Sequence, residues 1–229
     1  MKAIINKYVL SAAMYLSAVG ACAQLTNEQW RDSLSVLNKQ IMTSPYNTDL
    51  YLRKAAVNLE LEQWDYAIET YSDVLLKDPK NPAALFYRAF ANSKMRRYDL
   101  ARIDYEDFLE EIPESVEGRL GLAYILGKMD RKKEAMDTYN QLVEGHPDEP
   151  LVYAARAGYE AEEKYYDLAI YDWDKAIELA PDNYNFLVSK ADVLITMYEL
   201  GEAKQCLDLA VKKGAPRGEL RGLYEKCKY

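Results

Sequence analysis

Histidine occurs once in these 229 residues, cysteine three times, and glycine and proline together only 18 times. His146 directly precedes Pro147 and reads as an exposed loop residue rather than a ligand or base. The spacing of Cys22, Cys206 and Cys227 matches no zinc or redox motif, and no histidine is near any of them in sequence. Gly118, Gly121 and Gly127 fall inside one expected helix and follow no strand, so they make no phosphate loop. They weaken that helix by up to ~1 kcal/mol each relative to alanine, and they mark either a close helix contact or a shallow pocket. Positive charge is short as well: 29 lysines and arginines face 37 carboxylates, a net of −8. That leaves no basic footprint for nucleic acid and no charge-driven hold on anionic lipid. The carboxylates scatter over faces expected to be solvated and form no recognisable catalytic pair. No cofactor, metal or catalytic activity is expected. No stretch beyond residue 19 is long and apolar enough to span a bilayer.

What the chain does have is periodicity. Pro45, Pro79, Pro113, Pro147 and Pro181 recur at a constant step of thirty-four positions. Ala55, Ala89, Ala123, Ala157 and Ala191 keep the same step, as do Ala67, Ala101, Ala135, Ala169 and Ala203. One helical turn after each member of the second set stands Tyr71, Tyr105, Tyr139, Trp173 or Leu207. A fixed period of this size is the signature of a repeat array. Each unit reads as two helices. In the first copy, Leu52, Ala55, Ala56 and Leu59 give one apolar stripe, and Ala67, Ile68, Tyr71, Val74 and Leu75 give another. Paired alanines let two helix backbones approach closely, and the ring fills the space beside the contact. The proline stops the second helix. Asp65, Asp99 and Asp167 stand near the starts of second helices, where a carboxylate is expected to accept free backbone N–H groups and to suit the helix dipole.

A helix–turn–helix unit of this period, with small, small, aromatic and proline slots, resembles the tetratricopeptide repeat family. The best copies are Leu85–Pro113, with Tyr98-Asp99-Leu100-Ala101 and Asp104-Tyr105, and Tyr153–Pro181, with Tyr166-Asp167-Leu168-Ala169 and Ala176-Ile177-Glu178-Leu179-Ala180-Pro181. The resemblance covers residues 48–217 as five repeats. It implies an all-α, right-handed α-solenoid with capping helices at both ends. One continuous array without separate domains is expected, because each repeat buries its face on its neighbours. The resemblance is specific for fold and weak for function.

The ends depart from the period. Lys2 and Lys7, the mostly apolar stretch from Tyr8 to Val19, and Ala21-Cys22-Ala23 read as a secretory signal peptide over residues 1–23. Cleavage would leave Gln24 first. The alternative is lipidation of Cys22, since Val19-Gly20-Ala21-Cys22 resembles a bacterial lipobox. Either route implies export to the periplasm or cell envelope. Residues 24–47 read as half a repeat forming an N-terminal cap, with Gln29-Trp30 standing one full period before Gln63-Trp64. At the other end Pro216 comes one position late. Leu220, Leu223, Tyr224 and Cys227 then give residues 218–229 the stripe of a short capping helix. Cys206 and Cys227 read as two buried thiols, with a disulfide as the alternative.

Two charge pairs are expected within repeats, Arg88 with Asp104 and Arg156 with Asp172, both at the same separation. Function is then left to a surface. The resemblance implies that first helices line a concave groove, through two slots per repeat that lie one helical turn apart at fixed distances before each proline. These hold Leu52 and Ala56, Phe86 and Phe90, Leu120 and Tyr124, Ala154 and Gly158, and, counted from Ala215 in the last unit, Val188 and Asp192. The Lys, Asn and Arg that clamp a peptide carboxylate in one version of the family are absent from these slots. Phe86, Phe90, Leu120 and Tyr124 are the expected partner-binding residues, suited to an apolar helix or extended segment of a protein. The alternative for Phe86 and Leu120 is packing inside the array. The expected function is a non-enzymatic interaction scaffold of the cell envelope. The alternative is an accessory protein that binds a small molecule or glycan.

Overall fold

The computed structural model describes residues 26–228. The leader reading of residues 1–23, Cys22 included, lies outside the described residues. Among those described there are twelve helices and no strand. They fall into two compact units, parted between Met129 and Asp130. The first holds α1 (Asn27–Thr43), α2 (Thr48–Glu60), α3 (Trp64–Lys77), α4 (Pro82–Lys94), α5 (Tyr98–Glu111) and α6 (Val116–Lys128). The second holds α7 (Lys132–Gly145), α8 (Pro150–Glu162), α9 (Tyr166–Leu179), α10 (Tyr184–Thr196), α11 (Leu200–Lys212) and α12 (Arg221–Lys226). Within each unit a helix packs on the next one along. First helices also meet the next first helix: α2 meets α4, α4 meets α6, and α8 meets α10. That is the connectivity of an α-solenoid of helical hairpins.

The alanine ladders lie in the core. All ten have no exposed surface, and Ala55 with Ala67, Ala89 with Ala101, Ala157 with Ala169 and Ala191 with Ala203 each share one packed cluster. The ring slots close over them: Tyr71, Tyr105, Tyr139, Trp173 and Leu207 are all buried. Burial of Leu207 contributes about 1.5–3 kcal/mol. Gly118 and Gly121 mark a close contact rather than a pocket. A Cβ on Gly121 would lie 2.5 Å from the Tyr105 ring, and one on Gly118 would lie 2.5 Å from the Phe108 ring.

The prolines act one residue ahead of themselves. Ser44, Asp78, Ile112, His146 and Ala180 precede them, with φ between −138° and −134°. Proline disfavours helical backbone in the residue before it, so each helix must end there. Where the proline is late, Gly214 takes over. Its φ of 104° reverses the chain after α11, and the Ala215 N–H returns to the Ala210 carbonyl at 3.0 Å.

Helix capping differs from expectation. None of the second helices α3, α5, α7, α9 and α11 has a side-chain cap: Asp65, Asp99 and Asp167 stand two positions past the N-cap, in the first turn, where they suit the helix dipole. Asp65 instead accepts from Arg97 at 2.9 Å. The caps sit on the first helices, where Asn47, Asn81, Ser115, Glu149 and Asn183, again one period apart, accept backbone N–H groups. The first helices also close at their C-terminal ends. Glu62, Arg96, Asp130, Lys164 and Tyr198 all have φ between 56° and 68°. At Glu62 the next N–H, that of Gln63, returns to the Asn58 carbonyl at 2.8 Å. Arg97 and Tyr165 do the same to Asn92 and Glu160. This is the Schellman ending, here without its usual glycine.

Both expected charge pairs form, and both are two-pronged. Arg88 donates from Nε and a terminal nitrogen to Asp104 at 2.9 and 2.6 Å, and its other terminal nitrogen donates to Ser72 Oγ at 3.1 Å. Arg156 repeats the pattern with Asp172 and Asn140. The step from Ser72 to Arg88 equals that from Arg88 to Asp104, the spacing that brings successive antiparallel helices to one height.

Candidate partner-binding face

The four expected binding residues lie on α4 and α6, adjacent first helices of the first unit. The structure divides them. Phe86 is drawn into the core, its ring centroid 5.7 Å from Tyr105 and 5.2 Å from both Tyr87 and Phe108. Leu120 is partly buried. Phe90 is half-buried and meets the Trp64 ring edge-on at 6.2 Å. Tyr124 is 43% exposed. Packing therefore explains most of Phe86, and the outward part of the set is Phe90 with Tyr124.

The glycines help to set this display. Because Gly121 has no side chain, the Tyr105 ring lies against the backbone of α6. Tyr124, one turn further along, remains outside. Burial raises the Tyr105 hydroxyl pKa well above the ordinary phenol range, and the nearby Asp104 and Tyr124 add to the shift. That buried phenol stays neutral and supplies no base.

Two residues of this face are absent from the slots that the sequence singles out. Lys94 Nζ lies 5.0 Å from the centre of the Phe90 ring, and Lys128 Nζ lies 5.1 Å from that of Tyr124. Each lysine is one helical turn past its ring, and the two stand one period apart, so the spacing alone could have found them. Such a cation over a ring is worth about 0.5–1 kcal/mol at an exposed site. The result is a pair of rungs, each an aromatic ring with a positive rim. In the second unit the corresponding slots of α8 and α10 hold Ala154, Gly158, Val188 and Asp192, with no ring.

Among the described residues no group of three histidines, cysteines or carboxylates could hold a metal ion. No described helix is long and apolar enough to cross a membrane. Cys206 and Cys227 are free thiols, partly buried against one core cluster. Burial raises the pKa of both.

Residues 83–115 and 117–149 match the family model of the tetratricopeptide repeat. The fold is similar to that of a tetratricopeptide repeat protein from Parabacteroides merdae, with a TM-score of 0.77 at 20% identity over 96% of this chain and 90% of that one. A thermophilic repeat protein of the same kind from Thermus thermophilus gives 0.67 at 18% identity, over 79% and 98% of the two chains. YrrB, described as having an unusual peptide-binding site, gives 0.52 at 17% identity, over 78% and 92%. No curated protein matches the sequence.

Proposed function

We propose that this chain, two of whose units match the tetratricopeptide repeat model, holds an apolar segment of a partner protein against α4 and α6. The repeat fold is that of a protein–protein interaction scaffold. The observation that carries the finer reading is the pairing of exposed Tyr124 with half-buried Phe90 on neighbouring helices, each ring rimmed by a lysine. Rings presented this way are the usual anchors of binding energy. The two ammonium groups favour a carboxylate beside the apolar anchors of the incoming segment. That YrrB has a peptide-binding site on a related fold fits this use.

We also infer that the protein works outside the cytosol, in the periplasm or envelope. The support is Lys2, Lys7 and the apolar stretch before Ala23, or the lipobox-like run that ends at Cys22. The N-terminus of the native protein, read by mass spectrometry, should be Gln24 or a lipid-bearing Cys22. An intact Met1 on cytosolic protein rejects both.

The face is tested by crosslinking the partner in the native envelope, synthesising the crosslinked segment and measuring its affinity. Phe90→Ala with Tyr124→Ala should weaken binding by ~2 kcal/mol or more with little change in melting temperature. Unchanged affinity, or a large loss of stability, removes this face from consideration.

A further inference from the structure

The chain is acidic as a whole, yet its positive charge gathers in one segment. Residues 204–228 hold seven lysines and arginines against three carboxylates, a net of +4 in a chain whose total is −8. Four of the seven line a single cleft of about 610 Å³. Lys204 comes from α11, Arg217 from the turn after Pro216, Arg221 from the start of α12, and Lys228 from just beyond it. Asp208 is the one carboxylate on the wall.

The fold assembles this cleft from residues on both sides of a chain reversal. Gly214 turns the chain back, and buried Leu220 anchors the returning segment on the core of α10 and α11. The Asp208 carboxylate is already engaged, accepting from the Tyr224 hydroxyl at 2.8 Å. The Arg217 guanidinium lies over the Tyr224 ring, 5.5 Å from its centre. Arg221 is held by Glu225 at 3.0 Å. Lys204 lies close enough to Cys227 that its charge opposes the upward push of burial on that thiol. Among the described residues Lys204, Arg217 and Lys228 make no ion pair. Like charges so gathered repel one another, and a bound anion relieves that repulsion.

We propose that this cleft binds a small, multiply charged anion, either an organic phosphate or a di- or tricarboxylate. The volume falls within the roughly 300–1,000 Å³ of small-molecule sites. The chemistry suits as well: lysine offers a compact point charge, and arginine offers a fork matched to carboxylate and phosphate oxygens. A nucleic acid is the wrong occupant. It needs cations spread along a track, whereas these converge on one cleft in a chain of net negative charge. The site is in the second unit and independent of the face on α4 and α6.

Isothermal titration of the full chain with pyrophosphate, and separately with citrate, tests the proposal at low ionic strength, where charge is least screened. Saturable one-to-one binding of at least one probe is expected. Pyrophosphate alone would assign the site to phosphates and citrate alone to carboxylates, while equal binding would mean recognition by charge only. Lys204→Ala and Arg217→Ala should each weaken binding tenfold or more, and Lys133→Ala on α7 should leave it unchanged. Lys204 is exposed, so its replacement is read on a folded chain even if Arg217→Ala disturbs α12. Failure of both probes to saturate, or binding that survives Lys204→Ala, overturns the proposal.

Discussion

Arg156 and Asp172 close a two-point ion pair between α8 and α9, with Nε on one carboxylate oxygen at 2.6 Å and a terminal nitrogen on the other at 2.8 Å. The Asp172 side chain is 1% exposed, so its charge depends on that guanidinium. Arg156→Ala should cost ~3–5 kcal/mol, because it strands a buried carboxylate. Arg156→Met with Asp172→Leu should recover most of that loss. Denaturant midpoints of the three chains decide it. A single variant that costs less than the double one would show that the pair is not structural.

Glu160 stands two repeats after Asn92, whose amide donates to Asp104 at 3.3 Å. It is 4% exposed, and its Oε2 has no hydrogen-bond partner. Burial, and then the Asp172 charge, push its carboxyl from 4.5 up to about 7, against the pull of Arg156. A carboxyl raised by folding stabilises fully below its unfolded pKa, and its contribution is lost as pH climbs through the folded one. This part of the stability should therefore decline between about pH 4.5 and 7. Melting temperatures from about pH 5 to 8 should fall less for Glu160→Gln than for the parent chain. Parallel profiles would contradict the assignment.

Two glycines in helices should respond to alanine in opposite directions. A methyl at Gly121 meets the Tyr105 ring at 2.5 Å, whereas one at Gly158 meets nothing within 4 Å. Gly158→Ala should stabilise by up to ~1 kcal/mol through helix propensity alone. Gly121→Ala gains the same propensity but overpacks the contact between α5 and α6, at about 1–3 kcal/mol, so its thermal midpoint should fall. A rise would mean that the ring moves aside freely.

What can be read in the sequence is whatever repeats with a fixed residue type. The alanine and ring ladders mark the core, and Arg88, Asp104, Arg156 and Asp172 mark the ion pairs, because geometry at those slots tolerates few side chains. Phe86 and Phe90 look alike in sequence, since both are large rings in groove slots. Only the packed rings of Tyr105 and Phe108 show that the first turns inward. The cleft at Lys204 is hidden for another reason. Its charges are separated by the turn at Gly214, and no period connects them. The helix caps fall on the first helices, not on the second ones where the carboxylates point. Asp65, Asp99 and Asp167 are good capping residues, but they stand two positions past the N-caps Gln63, Arg97 and Tyr165, and no glycine announces the left-handed turns that come before.

Those turns have a consequence for how the protein can vary. Glu62, Arg96, Asp130, Lys164 and Tyr198 adopt one backbone shape with five different side chains, all exposed. Five unlike side chains hold that shape, so no one of them specifies it. Mutational drift there is open to side chains without a branch at Cβ, and each tip can take on or lose a charge or a ring while keeping the left-handed backbone.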